Sequence, residues 1–123
     1  MSYFALVTDN YDEVIRFYQQ KLAFPIIEKW DRHNARGTRF KMDDLKLEIL
    51  DNSIKKEKLE LFKPGDRFHL VIEVDKIEES YERLKDIALT PPVSTSWNAT
   101  LFQVIDPDGI NISYLSWKNE LIG

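Results

Sequence analysis

Hydrophobic and polar residues alternate along the first half of the chain with a period that changes from that of a strand to that of a helix and back. A strand-like stretch over 3–8 precedes a stretch over 10–22 in which apolar residues recur on one helical face. Three further strand-like stretches follow, over 24–31, 37–42 and 44–50. The first half is therefore predicted to form a βαβββ unit.

The second half of the chain has the same order of elements. A strand is predicted over 67–74 and a helix over 76–88, and three strands follow, over 93–97, 100–105 and 110–117. The last two strands are joined by Asp106-Pro107-Asp108-Gly109, a sequence typical of a tight turn in which the glycine takes a left-handed conformation. The chain thus contains the same unit twice.

These elements predict one domain over 1–123, with repeat one at about 1–52, a lysine-rich connection at about 53–65 and repeat two at about 66–117. Its fold class is α+β: the two βαβββ repeats form a curved mixed sheet around a concave cavity, with the helices on the outer face. Superposing the repeats places equivalent residues on the concave face, namely Tyr3 with His69 and Glu48 with Ser113.

Composition and charge narrow the possible functions. The 123 residues, 43% of them hydrophobic, are enough for a single core. The net charge of -4, from 17 basic and 21 acidic residues spread along the chain, favours neither DNA nor RNA as a partner. Because no apolar run approaches the ~20 residues of a membrane span and no signal peptide is evident, we expect no membrane association and a cytoplasmic protein. The absence of cysteine excludes disulfides, a thiolate nucleophile and thiolate-bound zinc.

Two stretches of the chain, DNYDEVIRFYQQKLAF and FQVIDPDGINISYL, carry a family resemblance. They resemble the vicinal oxygen chelate superfamily, which includes glyoxalase I, bleomycin-resistance and fosfomycin-resistance proteins, and extradiol dioxygenases. The first stretch has Ala23 where the family usually has glycine. In glyoxalase-like members the four repeat-related positions hold a histidine and a glutamate from each half, which bind a metal ion together with water. Here they are Tyr3, Glu48, His69 and Ser113, so the resemblance implies a degenerate site that has lost its metal, and no cofactor.

The same residues allow other interpretations. His69 is either a hydrogen-bonded core residue or part of the site, and Glu48 is either solvated, a counter-charge for a cationic ligand, or paired with His69. Tyr3 and Ser113 offer hydroxyl groups to a ligand. Four aromatic residues are predicted as possible pocket walls, although such residues are more often explained by core or dimer-interface packing; they are Trp30, Phe40, Trp97 and Trp117.

The favoured function is metal-independent binding of a small molecule, similar to drug sequestration by bleomycin-resistance proteins. The alternative is a lyase or isomerase of the glyoxalase I kind, which would use a divalent metal or rely on His69 and Glu48 for acid–base catalysis. A protein that only mediates association is the least favoured class. The resemblance, the aromatic Trp117 and the apolar tail at 120–123 together predict a homodimer.

Overall fold

The structure is a computed structural model that describes residues 2–118 of the chain. The chain divides into two compact units, unit 1 up to Lys63 and unit 2 from Pro64 onward. The division falls within the stretch that the sequence indicates as a connection. No helix in the described residues is long and apolar enough to cross a membrane. The tail at 120–123, on which the dimer prediction partly rests, lies outside the described residues.

Unit 1 has the predicted βαβββ order. Its elements are β1 (Phe4–Thr8), α1 (Tyr11–Arg16) with a following π-helical turn (Phe17–Lys21), β2 (Ile26–Arg32), β3 (Ala35–Met42) and β4 (Leu45–Asp51). The strands form one sheet in the order β1-β4-β3-β2. Strand β1 runs parallel to β4, and the other pairs are antiparallel, so the sheet is mixed, as the sequence predicted.

Unit 2 repeats this arrangement. After a 3₁₀ turn (Gly65–Arg67), its elements are β5 (His69–Glu73), α2 (Ile77–Leu84), β6 (Val93–Ser94), β7 (Ala99–Ile105) and β8 (Asn111–Trp117). The sheet order is β5-β8-β7-β6, with β5 parallel to β8. Strand β6 is shorter than predicted because Thr95 begins a turn, in which its hydroxyl accepts hydrogen bonds from the backbone of Trp97 and Ala99.

The first helix is not α-helical throughout, contrary to the prediction for 10–22. The backbone N–H of Leu22 donates to the carbonyl of Phe17 at 3.0 Å, a bond that spans five residues and defines the π-helical turn. Ala23 then adopts a left-handed conformation with φ of 62°, which ends the helix before Pro25. The position where the family usually has glycine is thus one that requires a positive φ.

Each unit buries the sheet face that carries its helix. In unit 1, Tyr18 lies at the centre of this core, fully buried against Phe40 and Phe24. In unit 2, the rings of Phe102 and Tyr114 stack with their centroids 5.3 Å apart. Because successive strand residues point to opposite faces, the alternate residues of the same strands form the other face of each sheet.

The turn between β7 and β8 forms as predicted. Gly109 has φ of 88°, and its N–H donates to the carbonyl of Asp106 at 3.0 Å. The carboxylate of Asp106 accepts two further bonds of 2.8 Å from the backbone N–H groups of Asp108 and Ile110. These contacts fix the register that pairs Ile105 with Asn111.

Candidate functional site

The strand registers align the two repeats residue by residue. Ala5 lies opposite Glu48 in unit 1, and Val71 lies opposite Ser113 in unit 2. Tyr3 stands two positions before Ala5, and His69 two positions before Val71. Because residues two apart on a strand point to the same side, Tyr3 shares a sheet face with Glu48, and His69 shares one with Ser113. We call the face that carries Glu48 the site face of unit 1, and the face that carries Ser113 the site face of unit 2.

The site face of unit 1 is organised around Arg39, which the sequence analysis did not single out. Arg39 lies opposite Glu48 in the register of β3 and β4, and its Nη2 donates to Glu48 Oε2 at 2.7 Å. Its Nη1 donates to Glu28 Oε1 at 2.6 Å. The guanidinium carbon also lies 5.0 Å from the ring centroid of Tyr3 and 5.4 Å from that of Trp30. We call these four residues around Arg39 the Arg39 cage.

The two carboxylates of the cage differ in their exposure to water. The side chain of Glu48 is 7% exposed, whereas that of Glu28 is 56% exposed. The hydrogen bond to Glu48 is the main cause that raises the pKa of Arg39, and the charges of both carboxylates add to it. Arg39 is therefore a permanent cation, and the nearly buried carboxylate of Glu48 is neutralised from within the protein.

Trp30 reaches the cage because Gly37 has no side chain. The two residues are paired across β2 and β3, and the indole ring lies directly over the Cα of Gly37. A β-carbon at this position would overlap the ring. The glycine is thus required by close approach of the ring to the backbone, and it lets Trp30 lie flat on the sheet beside Arg39.

The site face of unit 2 contains an uncharged version of the same contact. Gln103 lies opposite Ser113 in the register of β7 and β8, just as Arg39 lies opposite Glu48. Its Nε2 donates to Ser113 Oγ at 3.2 Å. In both units, a donor on the neighbouring strand therefore binds the side chain at the position that the resemblance implies as a carboxylate ligand.

The predicted site residues do not all lie on the site faces. Phe40 is paired with Leu47 and fully buried against Tyr18, on the opposite side of the sheet from Glu48. Its assignment to the same surface as Glu48 was wrong, because residues paired across antiparallel strands share a face and Leu47 points into the core. His69 is exposed at the start of β5, so its interpretation as a core histidine is also wrong.

The remaining aromatic residues that the sequence indicated are at least partly exposed. Tyr3 is 48% exposed and Trp30 is partly buried. In unit 2, Trp97 and Trp117 are 52% and 50% exposed, and their rings meet edge to face with centroids 5.6 Å apart. Trp117 shares the site face with Ser113 by strand phase. Each unit therefore presents aromatic surface, on the same sheet face as Glu48 in unit 1 and as Ser113 in unit 2.

This donor set does not suit a divalent metal ion. Within the described part of each unit, no group of three or more histidine, aspartate or glutamate side chains is arranged to hold a metal. An ion at Glu48 would meet the guanidinium of Arg39, which is already 2.7 Å from the carboxylate. Ser113 is neutral and accepts a hydrogen bond from Gln103, so it offers no charge to offset dehydration of the ion.

A cavity of about 460 Å³ lies on the helix side of unit 1 and also reaches Trp30. Its lining comes from α1, β2 and β3, and consists of Tyr11, Asp12, Ile15, Arg16, Lys29, Trp30, Asp31 and Arg36. Arg36 is held in place by Asp51 Oδ2, at 2.9 Å from Nε and 2.7 Å from Nη2, and it stacks over the ring of Tyr11. Trp30 is thus accessible both from the cage and from this cavity.

Comparisons with known proteins bear on the family and on the fold. Residues 1–114 match the family model described as Glyoxalase/Bleomycin resistance protein/Dioxygenase superfamily. Comparison with curated proteins gives no significant match.

Several solved structures have a similar fold. A glyoxylase/bleomycin resistance protein/dioxygenase domain from Frankia sp. EAN1pec has a TM-score of 0.76 and 16% identity, over 98% of this chain and 93% of that one. A glyoxalase/bleomycin resistance protein/dioxygenase from Nocardioides has a TM-score of 0.71 and 20% identity, over 98% of this chain and 85% of that one. A lactoylglutathione lyase from Agrobacterium tumefaciens has a TM-score of 0.69 and 16% identity, over 94% of this chain and 92% of that one. At these identities the likeness concerns the fold.

Proposed function

We propose that this chain, which belongs to the Glyoxalase/Bleomycin resistance protein/Dioxygenase superfamily, binds a small organic molecule on the site face of unit 1 without a metal ion. The observation that supports this is the ion pair of 2.7 Å between Arg39 and Glu48. The carboxylate that a metal would need is neutralised by the protein itself. What the face offers to a ligand is then aromatic surface and the guanidinium of Arg39, whose side chain is 24% exposed.

The aromatic rings suit a planar ligand. Tyr3 is about half exposed, at 48%, and Trp30 is held flat on the sheet by its contact with Gly37. A ring that is already fixed loses little conformational freedom when a ligand stacks on it, so more of the stacking energy contributes to affinity. Binding of this kind is similar in mode to the sequestration of a drug by an aromatic groove.

Acid–base catalysis by Glu48 and His69, as in a lyase or isomerase, has less support. A catalytic carboxylate must exchange a proton with the substrate, and protonation of Glu48 would break its ion pair with Arg39. The exposed imidazole of His69 remains free to contact a ligand, which is compatible with binding as well as with catalysis. The lactoylglutathione lyase among the similar structures is the reason to test this alternative directly.

The test is a binding screen with and without metal. Planar aromatic compounds are titrated into the protein in the presence of a chelator while tryptophan fluorescence and heat of binding are recorded. We expect saturable binding that is unchanged by the chelator or by added nickel or zinc. Trp30→Ala should abolish it. Phe62→Ala, which removes an 81% exposed aromatic ring elsewhere in unit 1, should leave it intact.

Two results would contradict the proposal. One is binding that appears only after a divalent metal is added. The other is turnover of a glyoxalase substrate that requires metal and is lost in Glu48→Gln, because this would make Glu48 a ligand or a catalytic group and not the internal partner of Arg39.

A further inference from the structure

We infer that Arg39 is a built-in cation that fills a cage otherwise suited to a cationic ligand, and that it weakens the binding of cationic planar molecules to the site face of unit 1. The selectivity rests on the proposed function, since it concerns the ligand of the same face. The filling of the cage by Arg39 does not rest on the proposed function, because it can be tested without any knowledge of that ligand.

The surroundings of Arg39 have the composition of a cation-binding site. Two carboxylates, Glu28 and Glu48, contact the guanidinium at 2.6 and 2.7 Å. Two aromatic rings, Tyr3 and Trp30, lie within 5.4 Å of its central carbon. Rings and carboxylates placed in this way are how proteins recognise ammonium and guanidinium groups. In this protein the recognised group belongs to its own strand β3.

The charge of Arg39 matches the acceptor that it binds. At the equivalent position of unit 2, the donor is the neutral Gln103 and its acceptor is the neutral Ser113. In unit 1 the acceptor is the nearly buried Glu48, and the donor is a cation. A second cation that approached Glu48 would be repelled by the fixed guanidinium, which lowers the attraction of the two carboxylates for it.

Removal of the guanidinium should therefore leave an unoccupied cation site. In Arg39→Ala, Glu48 would lose its ion-pair partner, and Tyr3 and Trp30 would face the vacated space. A small planar cation from solution would regain the ion pairs and the ring contacts together. A neutral molecule of the same shape would regain neither ion pair.

The first experiment is chemical rescue. The melting temperature of Arg39→Ala is measured with ethylguanidinium chloride at low millimolar concentration, and with ethylurea as the neutral molecule of similar shape, at constant ionic strength. We expect ethylguanidinium to raise the melting temperature of the variant and to leave the wild type unchanged. Ethylurea should change neither. Arg39→Lys, which keeps a cation in the cage, should show no rescue.

The second experiment measures charge selectivity with three probes that share one ring system: 2-naphthoate, 2-naphthalenemethanol and 2-naphthylmethylammonium. The quantity compared is the affinity for the ammonium probe relative to that for 2-naphthoate, which the guanidinium should keep lower in the wild type than in Arg39→Gln. In Arg39→Gln, which places the residue found at Gln103 into unit 1, the ammonium probe should bind roughly tenfold tighter and the naphthoate more weakly. Arg32→Gln is the matched control, because it removes the same charge from an exposed position at the end of β2 and should leave the order unchanged.

The outcomes separate this inference from the proposed function. If ethylguanidinium and ethylurea change the melting temperature of Arg39→Ala equally, the inference that Arg39 fills a cation site is overturned. If that variant fails to fold, an order of probe affinities in Arg39→Gln that is unchanged from the wild type would overturn it instead. Binding of the three probes with the same relative affinities in the wild type and in Arg39→Gln would overturn the selectivity while supporting a small-molecule site. Rescue by ethylguanidinium with no binding of any probe to any variant would support the cage and count against the proposed function.

Discussion

Replacement of Asp51 by asparagine should destabilise unit 1, and the size of the effect follows from four hydrogen bonds. Asp51 Oδ2 accepts from Arg36 Nε at 2.9 Å and from Nη2 at 2.7 Å. Its Oδ1 accepts from the backbone N–H of Ser53 at 2.9 Å and from the Ser53 hydroxyl at 2.6 Å. The side chain of Asp51 is 0% exposed, so water does not replace a lost partner.

The cost can be estimated from these contacts. Asparagine keeps one oxygen acceptor but turns an N–H donor toward the donors on the other side, and it leaves Arg36 without its buried counter-charge. Loss of one partner of a buried ion pair costs about 3–5 kcal/mol. Since Arg36 is 29% exposed and regains some solvation, we expect about 2–3 kcal/mol. For a chain of this length that corresponds to a fall of roughly 10 °C in melting temperature.

The pH dependence gives a second measurement of the same group. Burial acts to raise the pKa of Asp51, but hydrogen bonds from Ser53 and Arg36 outweigh it, and the pKa is lowered from 3.8. A carboxyl group whose pKa is lower in the folded state stabilises the protein above its unfolded value and loses this contribution as the pH falls toward the folded value. The difference in melting temperature between wild type and Asp51→Asn should therefore be constant near neutral pH and shrink below about pH 3.8.

The assay is thermal unfolding followed by circular dichroism across this pH range. Asp44→Asn is the matched control, because Asp44 is exposed in the turn between β3 and β4 and takes part in no ion pair among residues 2–118. It should change the melting temperature by no more than about 2 °C. A similarly small change for Asp51→Asn, or a difference from wild type that does not narrow in acid, would refute the reasoning.

Four further expectations concern the helix end, the turn, metal binding and assembly. Ala23→Gly should stabilise the protein by about 0.5–1 kcal/mol because φ is 62° at this position, which melting curves would reveal; an unchanged melting temperature would contradict the strain. Gly109→Ala should cost about 1 kcal/mol, since its φ is 88° and no atom crowds a β-carbon there; a variant as stable as the wild type would argue against this turn. Added nickel or zinc should barely change the melting temperature, whereas a true site stabilises by roughly 2.7 kcal/mol at about 100 times its dissociation constant. Sedimentation should show a homodimer that Trp117→Ala weakens, and a monomer near 14.5 kDa at micromolar concentration would oppose that prediction.

The order of elements could be predicted from the sequence because it depends on local patterns. Alternation in the strands, the apolar helical faces and the turn at 106–109 each report on a few neighbouring residues, and all three were recognised. The change from α- to π-helix at Phe17 could not be predicted in this way. In that turn Tyr18 packs against Phe40 of β3, a contact between distant positions that local patterns do not reveal.

The cage was missed although the sequence contains a signal for it. Strands β3 and β4 are joined by a two-residue turn, so Met42 pairs with Leu45, and counting back along both strands places Arg39 opposite Glu48. The same count places Phe40 with Leu47 and would have removed it from the site face. A charged residue in a strand is usually solvated, and because of this general expectation the specific pair of Arg39 and Glu48 across β3 and β4 was not predicted.

The position of Glu48 explains why some cation is needed beside it. A carboxylate whose side chain is 7% exposed loses most of its hydration, and an uncompensated charge there would oppose folding. A metal ion meets this need only when enough other ligands surround it, and those ligands must stay deprotonated. Arg39 meets it from the adjacent strand, with a charge that persists at any physiological pH. Because Arg39 is part of the chain, the nearly buried charge of Glu48 is compensated within the sheet itself.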